Sequence, residues 1–161
     1  MKKVIIALII ALTAGMDMLA GNPARINQLV RQYKGQDGFE VVSIGPVGMK
    51  LLKGAVHLSG DLDDEDRAAL KSFSGVEKLV IVDYEEANAS VKAQFNKKVE
   101  KILNGMELLL EARDNGETVR IYGQEKDGRL KDCILYSSDG DLLYMKGSID
   151  WSQLSDFKEL K

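Results

Sequence analysis

A chain of 161 residues with 45% apolar and 29% charged residues is long enough to bury a core and too apolar to stay disordered. Its 22 basic against 25 acidic residues give a net charge of −3, which excludes the strongly basic surface of a nucleic-acid binder. One histidine and one cysteine leave no internal disulfide and little material for zinc or thiol chemistry.

The chain opens with Lys2 and Lys3, an unbroken apolar run Val4–Leu12, and the small residues Thr13-Ala14-Gly15. This is the layout of a secretory signal peptide over residues 1–15, and the run is too short to span a bilayer. Cleavage is expected after Gly15, with Ala20 or Gly21 as later alternatives; the competing reading is an uncleaved anchor or a buried helix. Removing residues 1–15 takes two lysines and no acid, leaving 20 basic against 25 acidic residues and a net charge of −5. The one cysteine is Cys133, far from the apolar run, so a lipid anchor has no lipobox cysteine to attach to. The expectation is a periplasmic or extracellular protein that is not a lipoprotein.

Residues 16–161 read as one α+β domain. Asn22-Pro23 looks like an N-cap followed by proline at the first helical position. Ile26, Leu29, Val30 and Tyr33 then recur at helical spacing, and Gly35 ends the helix. Arg25, Arg31 and Lys34 occupy its other side, so a membrane-surface helix competes here with a docking helix whose far face is wet. Phe39–Ile44 is a strand, stopped by Gly45-Pro46. Val47–Leu58 is ambiguous, because Met49, Leu51, Leu52, Val56 and Leu58 suit a helix that Gly48 and Gly54 weaken. His57 falls within it and reads as a structural histidine, without the second ligand a metal would need.

Asp61–Asp66 resembles a calcium loop but has Asp66 and Ser72 where that loop needs glycine and glutamate. Acids there suit the start of a short helix, Asp64–Phe73. Leu79-Val80-Ile81-Val82, inside a strand over Val76–Tyr84, predicts burial on both faces. Asn88 caps the longest helix, Ala89–Asn104, with Val91, Phe95, Val99, Ile102 and Leu103 on its apolar face.

Three turn signals follow at an even beat, with glycines at 116, 128 and 140. Asn-Gly and Asp-Gly pairs supply the positive φ of tight hairpins. The runs between them predict a four-stranded antiparallel meander: Met106–Arg113, Thr118–Gln124, Leu130–Tyr136 and Leu142–Ile149. Asp150 is placed as the cap of a terminal helix reaching Leu160, with Trp151 as its anchor onto the sheet. The fold expected is one mixed sheet that ends in the meander, with helices mainly on one face and the strands Phe39–Ile44 and Leu79–Tyr84 joined to it.

Catalytic signatures do not surface. There is no GxGxxG, Walker loop, CxxC, HExxH or GxSxG, and Cys133 reads as a small buried hydrophobe. No catalytic residue, cofactor or metal ligand is assigned.

One resemblance covers most of the chain. The signal peptide, the Asn22-Pro23 helix start, Gln36-Asp37-Gly38 before a strand, Val119-Arg120-Ile121-Tyr122-Gly123 and the late Leu143–Ile149 segment with Lys146-Gly147 resemble the family called domain of unknown function 4252. These are small exported bacterial proteins. The resemblance implies an exported, single-domain and non-enzymatic protein, and it carries no ligand or catalytic residue with it.

The function expected is a non-catalytic binding or interaction module of the cell envelope, its partner an envelope protein or a small ligand. The open face of the meander, with Arg120, Tyr122 and Gln124, is the candidate surface, since such a sheet can leave one face wet. The alternatives are a carboxylate-dependent hydrolase using Asp83, Glu85 and Glu86 at a strand end, and a peripheral membrane protein.

Overall fold

The computed structural model describes residues 22–58 and 73–150, Asn115 excepted. The export segment, the acidic stretch Asp61–Asp66 with the helix expected after it, the side chain of His57 and the Trp151 helix lie outside the described residues.

Helix α1 (Ala24–Tyr33) buries Ile26, Leu29, Val30 and Tyr33 along one stripe, as their spacing requires. Its N-cap is Pro23, one residue later than the sequence predicts; Asn22 Oδ1 accepts the Ala24 N–H at 3.0 Å instead. Lys34 N–H closes the helix on Val30 O, and Gly35, at φ 87°, turns the chain away.

Strand β1 (Glu40–Ile44) leads into α2 (Pro46–Leu58), which resolves the ambiguous stretch as helix. Proline begins it, where an N–H would have no partner anyway. Strand β2 (Gly75–Asp83) is followed by α3 (Ala89–Leu103), whose start is fixed by Asn88 Oδ1 accepting the Ser90 N–H at 3.0 Å. The chain then runs through β3 (Glu107–Asp114), β4 (Glu117–Lys126), β5 (Arg129–Ser137) and β6 (Asp141–Asp150).

All six strands form one sheet in the order β1-β2-β6-β5-β4-β3, and every pairing is antiparallel. The expected mixed sheet is therefore corrected to a purely antiparallel one. The physical reason lies in the β1–β2 connection: it returns from the end at which it left, so the two strands are antiparallel neighbours rather than a crossover pair. The first two strands do join the sheet, with β2 seated against β6.

Helices α1 and α3 cover one face. There Val80, Val82, Tyr84, Ile134, Tyr136, Leu142 and Tyr144 meet both helices in the larger core. Phe95 packs edge-on against Tyr33 at 4.9 Å and Tyr84 at 4.7 Å, while Phe39 stacks on Tyr84 at 5.5 Å. Helix α2 lies on the opposite face, over a smaller core of Met49, Val76, Leu130, Cys133, Met145 and Ile149. Among the described residues, helix cover is thus two to one. It also leaves part of that second face open, so the Leu79–Val82 run is not buried on both sides: Val80 and Val82 are buried, while Ile81 is 40% exposed.

Two hairpins use their glycines as the sequence predicts. Gly116 has φ 92°, and Asp127 and Gly128 have φ 56° and 73°, the pair of positive values a type I′ turn needs. Gly140 differs, because its φ is not positive. It is small because a Cβ would fall 2.5 Å from Glu85 Cα, and its carbonyl accepts the Tyr84 N–H at 2.7 Å. Register shifts recur from strand to strand, near Leu109, Gly123, Asp132 and Gly147, and bulges of this kind bend a sheet. Asp132, at φ 51°, accepts the Gly147 N–H at 3.3 Å across that line.

Candidate interaction surfaces

A groove of about 400 Å³ opens where α3 ends, lined by Glu100, Leu103, Asn104, Met106, Leu108, Arg120 and Tyr122. Its shape follows from the local chain path. Asn104 N–H bonds to Glu100 O at 2.9 Å and Met106 N–H to Leu103 O at 2.8 Å, which turns the backbone sharply from helix into β3. The outer strands β3 and β4 therefore extend beyond the helix, and the residues facing it there stay half open.

Arg120 and Glu111 face each other across β4 and β3, with Arg120 Nε donating to Glu111 Oε2 at 2.8 Å. Arg113 reaches the other carboxylate oxygen at 3.2 Å. The Arg120 hydrogen bond is the main cause that holds the Glu111 carboxyl below the usual carboxylate range, and the same bond raises the Arg120 guanidinium. Tyr122, two residues along β4 from Arg120, packs against the larger core, and burial pushes its hydroxyl up. Leu108 opposite it is 47% exposed. Arg120 is already engaged by Glu111, so the groove offers a mixed polar and apolar lining rather than a free anion site.

The structure thus brings two of the three sequence-predicted residues together. They sit on the helix-covered side of the sheet, at its open end, not on the wet face. Gln124 is exposed, pairs with Lys131 beyond the register shift at Gly123, and does not line the groove.

The strand-end carboxylates are also placed. Asp83, Glu85 and Glu86 are exposed; Asp83 Oδ1 accepts the Glu85 N–H at 3.0 Å, and the Glu85 carbonyl accepts from Lys92 Nζ at 2.6 Å. These contacts build a turn. Among the described residues, no three His, Cys, Asp or Glu side chains gather closely enough to hold a metal ion. Cys133 is buried on the α2 side of the sheet, and burial pushes its thiol up to about 12. No described helix is long and apolar enough to cross a membrane.

The open part of the second face is the feature that sequence reasoning missed. Val42, Ile81, Leu143, Leu135, Ile121 and Leu110 stand directly opposite one another, strand by strand, and make one aliphatic row across the whole sheet. Val42 is 52% exposed and the four residues from Leu143 to Leu110 are half-buried. The signal was present in the strands, whose second parity is as apolar as the first.

No curated protein and no solved structure matches the chain. The model of one family, Domain of unknown function (DUF4252), matches residues 33–157, from the last turn of α1 past the end of β6. The chain belongs to that family.

Proposed function

We propose that this protein is an exported, non-catalytic binding module of the cell envelope, working in a periplasmic or extracellular space without a lipid anchor. The Lys2-Lys3 start with its Val4–Leu12 run supports export. The observation that carries the binding role is the groove at the end of α3, where exposed Leu108 lies beside Tyr122 and the Arg120–Glu111 pair. An aromatic and an arginine held in fixed positions beside open aliphatic surface are the residue types that anchor protein contacts. The meander is the scaffold in this reading, since β3 and β4 hold the groove residues in register.

The test is capture from envelope extract with the protein as its cells process it. Wild-type protein retains a reproducible partner, Arg120→Ala and Tyr122→Ala lose it, and Gln124→Ala has the smallest effect. Equal capture by all four proteins would remove the groove from the function.

A further inference from the structure

The second face of the sheet is half covered and half open, and α2 supplies both halves of a match. The inner side of α2 sets Met49 into the core with Cys133 and Met145, over the row that begins at Ile44 and Leu79. Its outer side carries Val47 and Leu51, one turn apart and opposite Met49, exposed at 73% and 70%. Among the described residues, that outer side has no apolar surface to pack on. The neighbouring row, Val42 to Leu110, is only partly covered: Leu143 and Ile121 pack against this core and stay half-buried, while Val42 and Ile81 are 52% and 40% exposed.

Charge matches in the same sense. Above the aliphatic row, Glu40, Asp83 and Asp141 stand directly opposite one another on β1, β2 and β6. Like charges placed so are mutually destabilising, and a cation brought near them is favoured. Exposed Lys50 sits on α2 next to Leu51. Lys53 is otherwise engaged, donating to Ser74 O at 2.7 Å and Val76 O at 2.8 Å.

We infer that the occupant of this face is a second copy of the chain. Two copies meet face to face about a two-fold axis, and each α2 lies between its own sheet and the open row of the other. The outer side of each helix, Val47 and Leu51, covers the partner's aliphatic row, and Lys50 comes to the partner's acidic row. One patch holds both the helix and the row, so the contact is self-complementary and closes at two copies. Six strands at about 4.8 Å spacing make the row roughly 25–30 Å long. A helix of 13 residues adds a face about 20 Å long and 10 Å wide. Counted reciprocally on both copies, this buries on the order of 1,000 Å², where specific interfaces begin.

The inference concerns the face opposite the α3 groove and stands or falls separately from the envelope-binding role. Sedimentation velocity of the protein, purified as its cells process it, is the test, run from low to high micromolar concentration. The expected result is a dimer whose mass halves in Leu51→Glu, with an unchanged circular dichroism spectrum because the residue is solvent-facing. The gentler Val47→Ser/Leu51→Ser variant also loses the dimer, and Lys50→Glu weakens it about tenfold, more at low salt than at high. Mixing Leu51→Cys with Ile81→Cys chains gives a disulfide-linked pair on oxidation, since Cys133 is buried and does not compete. A wild-type protein that stays monomeric throughout, or a dimer untouched by Leu51→Glu, would overturn the inference.

Discussion

Tyr84 and Asn96 bind the sheet to α3 through one short contact: Tyr84 Oη lies 2.8 Å from Asn96 Oδ1. The same hydroxyl lies 2.7 Å from Ser137 O, so two acceptors share its single proton. Asn96 Nδ2 in turn donates to Ser138 O at 2.8 Å. Helix α3, the end of β2 and the β5–β6 turn are thereby fixed to each other. Tyr84→Phe keeps the ring contacts with Phe39 and Phe95 and should cost about 1–2 kcal/mol. Tyr84→Ala, which also empties the core, should cost about 3–5 kcal/mol. Urea denaturation with unchanged slope checks both.

Gly38 and Gly35 offer a comparison between two causes. Both have positive φ, 78° and 87°, but a Cβ at Gly38 would fall 2.5 Å from Ala87 Cα, and at Gly35 it would meet nothing. Gly35→Ala is expected to cost about 1 kcal/mol from backbone strain alone. Gly38→Ala adds a backbone collision and is expected to cost at least about 2 kcal/mol more, of the size seen when strain and overpacking combine. Thermal melts of the two variants, measured side by side, separate the contributions.

Alkaline pH should destabilise the fold. Burial pushes Tyr33 and Tyr144 up to about 12, and Tyr84 and Tyr136 higher still. Unfolded tyrosines titrate near 10, so above that value the unfolded chain has released protons that the native state keeps. Stability from these residues is complete below about pH 10 and falls as pH rises through about 12. Tyrosinate absorbance should therefore stay low until unfolding begins, then appear together with loss of circular dichroism. Titration of all tyrosines at the ordinary pH, in a folded protein, would contradict this.

Lys98 is an opposite case. Its Nζ is buried without a hydrogen-bond partner and sits 5.1 Å from the Tyr33 ring centroid; burial lowers its pKa. In the window between that lowered value and the ordinary lysine value, the unfolded chain holds a proton the native state has lost. Stability owed to this residue therefore rises with pH there, and its penalty is greatest at lower pH. The cation–π contact offsets part of the penalty. Lys98→Met is expected to stabilise by about 1 kcal/mol near neutrality, with the gain shrinking at alkaline pH. Denaturation of both proteins at two pH values decides it.

The legible part of the fold was the part governed by local rules. Asn88, Gly35 and the Asp127-Gly128 pair act through neighbours in sequence, and the elements they bound lie within a few residues of their predicted limits. What was not legible depended on distant partners. Nothing local says that β2 would pair with both β1 and β6, and so make the sheet wholly antiparallel. Likewise Leu79-Val80-Ile81-Val82 is the same four residues whether one face is covered or two. Arg120 and Tyr122 were proposed from pattern, but Glu111, which bonds to Arg120, lies on the neighbouring strand and emerged only with the register.

The place of β6 has a consequence for the order of folding. Strand β2 leaves the chain early, yet its inner neighbour is the last strand described, with Ile81 opposite Leu143. The loop this pairing closes contains α3 and the three strands between, so its entropy is lost before the contact gives anything back. The local hairpins of β3 to β6 can form first, and β1 and β2 must wait at the open edge of β6. A chain that emerges N-terminus first, from a ribosome or through a narrow passage, therefore cannot complete its sheet until β6 has arrived.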